Sequence, residues 1–178
     1  RGHLLLGAGS ATMMGAAVLA TRSALRSGAG LVTVATEAVG WPILQTAAPE
    51  AICAAGVSLG NTDFQQQRRI KAIAVGPGWL AEDAHLQQLA FLWQQATVPV
   101  VVDATALLLL KSMLGHVPPQ ERRSVWILTP HVGEFDQMFG YSAHHEERLQ
   151  KAMAAAVSNN VIIVLKGKYT RIVSPEGK

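Results

Sequence analysis

At five places an apolar run of this 178-residue chain gives way to bare backbone, charge or both: "GAGSATMMGAA" from Gly7, "GPGW" from Gly76, "DATAL" from Asp103, "TPHVGE" from Thr129 and "KGKYT" from Lys166. In the last, the amides around Gly167, the ammonium groups of Lys166 and Lys168 and the Thr170 hydroxyl beside Tyr169 are groups that can embrace a phosphate. The same five residues, Lys166 to Thr170, also suit a polar turn with two solvated lysines. In "TPHVGE", Thr129 is expected to cap a helix whose first turn contains Pro130. His131 and Glu134 are then left over. The imidazole can hydrogen-bond a ligand, and the carboxylate can hold magnesium through water beside phosphate oxygens or simply complement the helix dipole. Asp103 either caps a following helix or presents a carboxylate to a cleft, and the cleft is the favoured reading.

The glycine-rich stretches are less decided. Gly7, Gly9 and Ser10 can hold an anion on backbone amides, but a tight strand-to-helix connection explains them as well. Gly15, Ala16 and Ala17 can admit a planar ligand, or allow close helix packing, the commoner use. Gly76, Pro77 and Gly78 form a stiff turn open to a ligand and equally good at turning a chain.

What must position these groups is an alternation of strand-like and helical patterns along the whole chain, the mark of a mostly parallel sheet flanked by helices in one α/β domain. Strands are expected at His3–Leu6, Leu31–Ala35, Ala51–Ala54, Ala72–Val75, Val98–Val102, Val125–Leu128, Val161–Leu165 and Tyr169–Val173. Several are continuous β-branched runs, as in strands buried on both faces. Leu86, Leu89, Ala90 and Trp93 have helical spacing, as do Leu149, Ala152, Met153, Ala156 and Val157, with Ser142 as an N-cap for the second. Gly15 to Ser27 reads as a further helix, closed by Gly28 in a left-handed conformation. In such sheets ligands collect beyond the carboxyl ends of the strands, where all five stretches fall.

Composition excludes several classes. With 49% hydrophobic and 15% charged residues the chain can build a core and is not disordered. The net charge of +3 is spread over sites such as Arg22/Arg26, Arg68/Arg69 and Arg122/Arg123, which suits small anionic ligands and not a nucleic-acid partner. One cysteine, Cys53, rules out an internal disulfide and fits a reducing, cytoplasmic setting. No apolar run is long enough to span a membrane. The apolar helices are compatible with a homo-oligomer.

In sequence order, "GAGSATMMGAAVLATRSALRSGAGLVTVAT", "AVGPG", "VVVDATAL", "ILTPHVGEF" and "VLKGKYT" resemble the ADP/ATP-dependent NAD(P)H-hydrate dehydratase family, from near residue 3 to near residue 173. The resemblance implies a ribokinase-like α/β fold with a mostly parallel central sheet. It also implies ADP- or ATP-dependent dehydration of the S epimer of hydrated NAD(P)H, through a phosphorylated intermediate that eliminates phosphate. By position, Ala16, Gly78 and His131 would contact the hydrated nicotinamide nucleotide. Lys166, Gly167, Lys168, Tyr169 and Thr170 would contact the adenine nucleotide, and Glu134 would be linked to Mg2+. An NAD(P)H-hydrate epimerase, fused or separate, is an implied partner. A ribokinase-like kinase of vitamin precursors and a non-catalytic nucleotide-binding protein are the alternative readings.

The family's pattern is departed from in three places. Trp79 and Leu80 stand where "GPGLG" has its third glycine, which bears on the shape of the substrate wall. Thr105 stands where "DADAL" has a second carboxylate. The "GTGD" segment, whose aspartate is the expected base, is absent, and the sequence stops at "VSPEGK". Residues 1–178 are therefore expected to be an incomplete domain. Incubated alone with hydrated NADH and nucleotide, they should give no turnover, and measurable nucleotide-dependent recovery of NADH would refute this.

Overall fold

The computed structural model describes residues 2–114 and 123–176; Arg122 and the last two residues of "VSPEGK" lie outside them. Strands and helices alternate as β1 (His3–Gly7), α1 (Met14–Arg26), β2 (Leu31–Ala35), α2 (Trp41–Ala47), β3 (Ile52–Ala54), α3 (Thr62–Gln67), β4 (Ala72–Val75) and α4 (Asp83–Gln95). They continue as β5 (Val100–Val102), α5 (Thr105–Lys111), β6 (Trp126–Leu128), α6 (Val132–Phe139), α7 (His145–Asn159), β7 (Ile162–Leu165) and β8 (Arg171–Val173). The strands form one sheet in the order β3-β2-β1-β4-β5-β6-β7-β8. All pairings are parallel except β7 with β8. Each expected strand exists, most of them a residue or two shorter. Two of them lose two residues: β5 starts at Val100, and at the last Tyr169 and Thr170 belong to the β7–β8 turn and the strand starts at Arg171.

Helix ends follow local chemistry. Gly28 closes α1 with φ +96°, its N–H donating to Leu25 O while Ala29 N–H reaches Ala24 O, the paired bonds of a Schellman closure. Short α3 starts at Asn61, whose side chain accepts from Phe64 N. For α7 the expectation of Ser142 as N-cap is corrected. The cap position is His144, and Ser142 is buried in the loop with its carbonyl accepting from Arg148 Nη2 at 2.7 Å. That arginine also forms a two-bond pair with Asp136 of α6, both bonds 2.8 Å. The hydrogen bonds from Arg148 hold the Asp136 carboxyl below its ordinary value. The pair ties α6, whose N-terminus reaches the strand ends, to α7.

Burial is one-sided. Ile73, Val75, Val100, Val102, Trp126, Leu128, Ile163 and Leu165 face a core built with α4 to α7. On the opposite face, α1 and α2 cover Leu6, Val32 and Val34. Beyond them Ala72, Ala74, Val101, Ile127, Ile162 and Val164 are only half-buried. The expectation of strands buried on both faces is thus corrected for β4 to β7: the described helices that follow these strands all pack on the same side. Truncating Leu128, which is fully buried, to Ala should cost about 2–5 kcal/mol of stability. The same change at its neighbour Ile127 should cost less than half as much in chemical denaturation, and equal costs would contradict the one-sided burial.

Candidate functional site

At the carboxyl ends of the strands, main-chain hydrogen bonds run in a row from one strand to the next. Gly76 N–H donates to Gly7 O (3.0 Å), Asp103 N–H to Val75 O (3.0 Å), Thr129 N–H to Val102 O (3.0 Å) and Lys166 N–H to Pro130 O (2.8 Å). His131 and Lys166 also pair as an isolated parallel bridge. The ladder therefore continues past the regular strands and carries all five sequence stretches into mutual register.

At the β1 and β4 ends, Gly9 N–H donates to Pro77 O at 2.8 Å, clasping the two glycine loops together. Gly78 has φ +74°, and a Cβ there would stand 2.9 Å from Ala16 Cβ and 3.1 Å from Gly9 Cα. Ala16 and Gly78 are thus direct neighbours, and both are half-buried. Gly76 is more constrained still: φ is +120° and a Cβ would lie 1.8 Å from Asp103 O. Chain geometry alone accounts for these glycines, as the plainer reading of "GPG" allows. Trp79 is 2% exposed, turned into the core beneath the turn, where its ring stacks on His85 at 4.5 Å between centroids.

Asp103 follows β5 with its carbonyl packed on Gly76, and the next residue, Ala104, has φ +51° and ψ −132°. Such a conformation in a non-glycine residue costs on the order of 1–3 kcal/mol and is held by its surroundings. Ala104 takes the cap position of α5 without a side-chain bond, so Asp103 is no cap. Its carboxylate Oδ1 instead accepts from Lys166 Nζ at 2.7 Å, across the end of β6, with the two side chains 37% and 42% exposed. The pair edges an open groove of about 410 Å³ that also touches Pro77 and Thr129. A pair this exposed contributes roughly 0–1 kcal/mol to folding.

At the β6 end the helix start differs from the expectation. Thr129 and Pro130 still belong to the ladder, Thr129 Oγ1 also donating to Val102 O at 3.2 Å. The N-cap of α6 is His131, and Glu134 completes a capping box: Glu134 N–H donates to His131 Nδ1 (3.2 Å) and His131 N–H to Glu134 Oε2 (2.8 Å). An accepting Nδ1 places the neutral imidazole's proton on Nε2. That nitrogen lies 3.6 Å from Glu134 Oε1, and the imidazole is 60% exposed. None of these bonds reaches Ala16 or Gly78.

Lys166 to Thr170 form the β7–β8 turn. Lys166, Gly167, Lys168 and Tyr169 line a cavity of about 190 Å³ with Val132 and His145. Lys168 Nζ sits 5.4 Å from the centre of the Tyr169 ring. His145, in the first turn of α7, was not anticipated; its place here depends on the fold of α7 against β7 and leaves no local mark in the sequence. A magnesium ion fits these residues only with help from phosphate. No cluster of three His, Cys, Asp or Glu exists among the described residues, and Mg2+ is commonly held by one or two carboxylates plus phosphate oxygens. Glu134 has Oε1 to offer, Oε2 being engaged in the cap.

Residues 4–178 match the family of NAD(P)H-hydrate dehydratases. The chain belongs to that family. It is 36% identical over 178 residues to the ADP-dependent (S)-NAD(P)H-hydrate dehydratase of Bacillus subtilis, covering 99% of this chain and 62% of the relative. It is 31% identical to the bifunctional NAD(P)H-hydrate repair enzyme Nnr of Thermofilum pendens, covering 36% of that protein. The crystal structure of the Bacillus subtilis ADP/ATP-dependent enzyme, co-crystallised with ATP/Mg2+, superposes with a TM-score of 0.83 at 33% identity, over 99% of this chain and 61% of that one. A ribokinase-like superfamily protein from Enterococcus faecalis superposes with a TM-score of 0.80 at 25% identity, over 97% of this chain and 60% of that one. The fold is ribokinase-like. The chain spans about three fifths of the length of the Bacillus subtilis dehydratase.

Within this dehydratase-family chain, Trp79 is buried in the core while Leu80, which follows it, is exposed, and the glycine turn itself is intact. His131 has a structural duty besides any contact with substrate, and the two are separable. His131→Ala should lose about 0.5–2 kcal/mol with the cap, while His131→Asn, whose amide oxygen can accept the same N–H, should keep most of it. Thermal denaturation of the two variants checks this, and equal losses would rule out the imidazole as the cap.

Proposed function

We propose that the full-length protein catalyses the ADP- or ATP-dependent dehydration of the S epimer of hydrated NAD(P)H to NAD(P)H, a nicotinamide-cofactor repair reaction. The observation that carries this reading is the register of Lys166 beside Pro130 and His131, in a chain belonging to the dehydratase family. It sets the lysine-containing turn, the α6 capping box and the Ala16–Gly78 contact along one edge of a single sheet.

In this reading the nucleotide's phosphates lie against Lys166 and the Gly167–Thr170 turn, with Lys168 and Tyr169 lining the cavity and Thr170 at the end of the turn. The Lys166 ammonium supplies positive charge where phosphoryl transfer builds negative charge, and the turn's backbone supplies amide donors. Magnesium, when bound, would neutralise phosphate charge, with Glu134 as its protein carboxylate. The hydrated ring rests on Ala16 and Gly78, where the lack of bulk permits close approach, with His131 Nε2–H as a donor. The ring hydroxyl gives up its proton and takes the nucleotide's terminal phosphoryl as the phosphoanhydride bond breaks and the shortened nucleotide leaves. The phosphate then departs as a neighbouring ring C–H gives up its proton, restoring the double bond. The proton acceptor expected of the family, the "GTGD" aspartate, is not among residues 1–178.

We read residues 1–178 as part of one ribokinase-like domain acting in a reducing, cytoplasmic setting. No described helix is long and apolar enough to cross a membrane. The bifunctional repair enzymes among the relatives fit a second, coupled activity, for which an NAD(P)H-hydrate epimerase, fused or separate, is the partner we propose. Full-length protein given hydrated NADH, Mg2+ and either nucleotide should restore the reduced-nicotinamide absorbance and release phosphate. Accumulation of a stable phosphorylated alcohol without NADH recovery would replace this reading with a small-molecule kinase. Lys166→Met should weaken nucleotide binding roughly 10- to 100-fold, the worth of one charge-assisted hydrogen bond.

A further inference from the structure

We propose that Asp103 is a positioning residue for Lys166, holding the ammonium over the end of β6 while its own negative charge opposes binding of the nucleotide's phosphate. The inference rests on the reading of Lys166 as a phosphate contact. Both main chains are fixed before the side chains meet. Asp103 is held by its N–H to Val75 O, by its carbonyl against Gly76 and by the constrained Ala104, and Lys166 by its N–H to Pro130 O. β5 and β7 are separated by β6, about 9.5 Å for two strand spacings, so the 2.7 Å contact requires the lysine to reach sideways across the strand end. Free of Asp103, a four-carbon side chain at this half-exposed position would sample many directions.

Among the described residues, no other side-chain hydrogen bond is made by either group. The lysine thus has one tether, and its ammonium has three donors, so it can keep Asp103 and still meet an incoming phosphate. The carboxylate has a second effect of opposite sign. Its negative charge sits beside the place where phosphate binds and weakens nucleotide binding in the ground state. Thr105, in the next turn, adds no further charge. A placed lysine favours transfer while a nearby carboxylate opposes binding, so removal of the Asp103 charge should separate KM from kcat.

The test is Asp103→Asn in the full-length protein, with nucleotide affinity from calorimetry using ADP and ATP with Mg2+, and kcat and KM from NADH recovery. Nucleotide Kd and KM are expected to stay level or fall up to about tenfold, while kcat falls at least tenfold. In a Lys166→Met background, Asp103→Asn should have no further effect on kcat. A normal kcat overturns the proposal. So does a rise in KM together with the fall in kcat, which would make Asp103 a direct contributor to nucleotide binding. If Asp103→Asn lowers the melting temperature, Asp103→Glu decides: keeping the charge, it should retain wild-type nucleotide affinity and recover part of kcat, and affinity lost with kcat overturns the proposal. If wild-type protein binds neither nucleotide, the phosphate reading of Lys166 fails instead. If it binds and only the split is missing, this inference alone fails.

Discussion

Parallel strands leave no choice about where their carboxyl ends fall relative to one another, because each N–H must find the neighbouring carbonyl. That register is the constraint from which the site follows. The bonds Gly76 to Gly7, Asp103 to Val75, Thr129 to Val102 and Lys166 to Pro130 extend the ladder one or two residues beyond the apolar strands. A slip of one residue at any of them would turn the side chain that follows to the other face. With the register kept, Asp103 and Lys166 emerge two strands apart and can bond, and His131 enters α6 next to the β7–β8 turn.

Two consequences for packing follow from the same row. Where the loops beyond the ladder crowd each other, only glycine fits: Gly76 takes the Asp103 carbonyl, and Gly78 sits against Ala16 and Gly9. Below the row, the helices that follow β4 to β7 all lie on one side, building the larger core from Trp126, Leu128, Phe135 and Ile163. The other side of those strands is apolar but only half-buried, from Ala72 to Val164.

The sequence was most legible where a residue type had one plausible use. β-branched runs such as "VIIVL" announced strands, and Gly28 announced a helix end, since both signals are local. Coverage of a strand is not written in its own residues: Val101 and Val102 have the same side chain, one half-buried and one fully buried, because the helices pack on only one face of the strand. Thr129 misled for a related reason. It has the makings of a cap, but its N–H and the Pro130 carbonyl are claimed by neighbouring strands, so α6 begins after His131. Short α2 and α3 escaped because they offer too few turns for periodicity, although Asn61 before Thr62 was a readable start. The Asp103–Lys166 pair joins residues 63 apart, which no local pattern could link.

The charge balance at the strand ends also explains why the carboxylates there are sparse and already engaged. Glu134 gives one oxygen to its own helix cap, and Asp103 gives one to Lys166. Three or more converging carboxylates would hold a divalent cation in the empty site and oppose an incoming polyphosphate. In the proposed reading, one or two, each partly neutralised, would leave a cation to draw most of its shell from phosphate oxygens. Ligand charge would then complete a site that protein groups only half-build, and an ion carried on a nucleotide would be preferred over one bound alone.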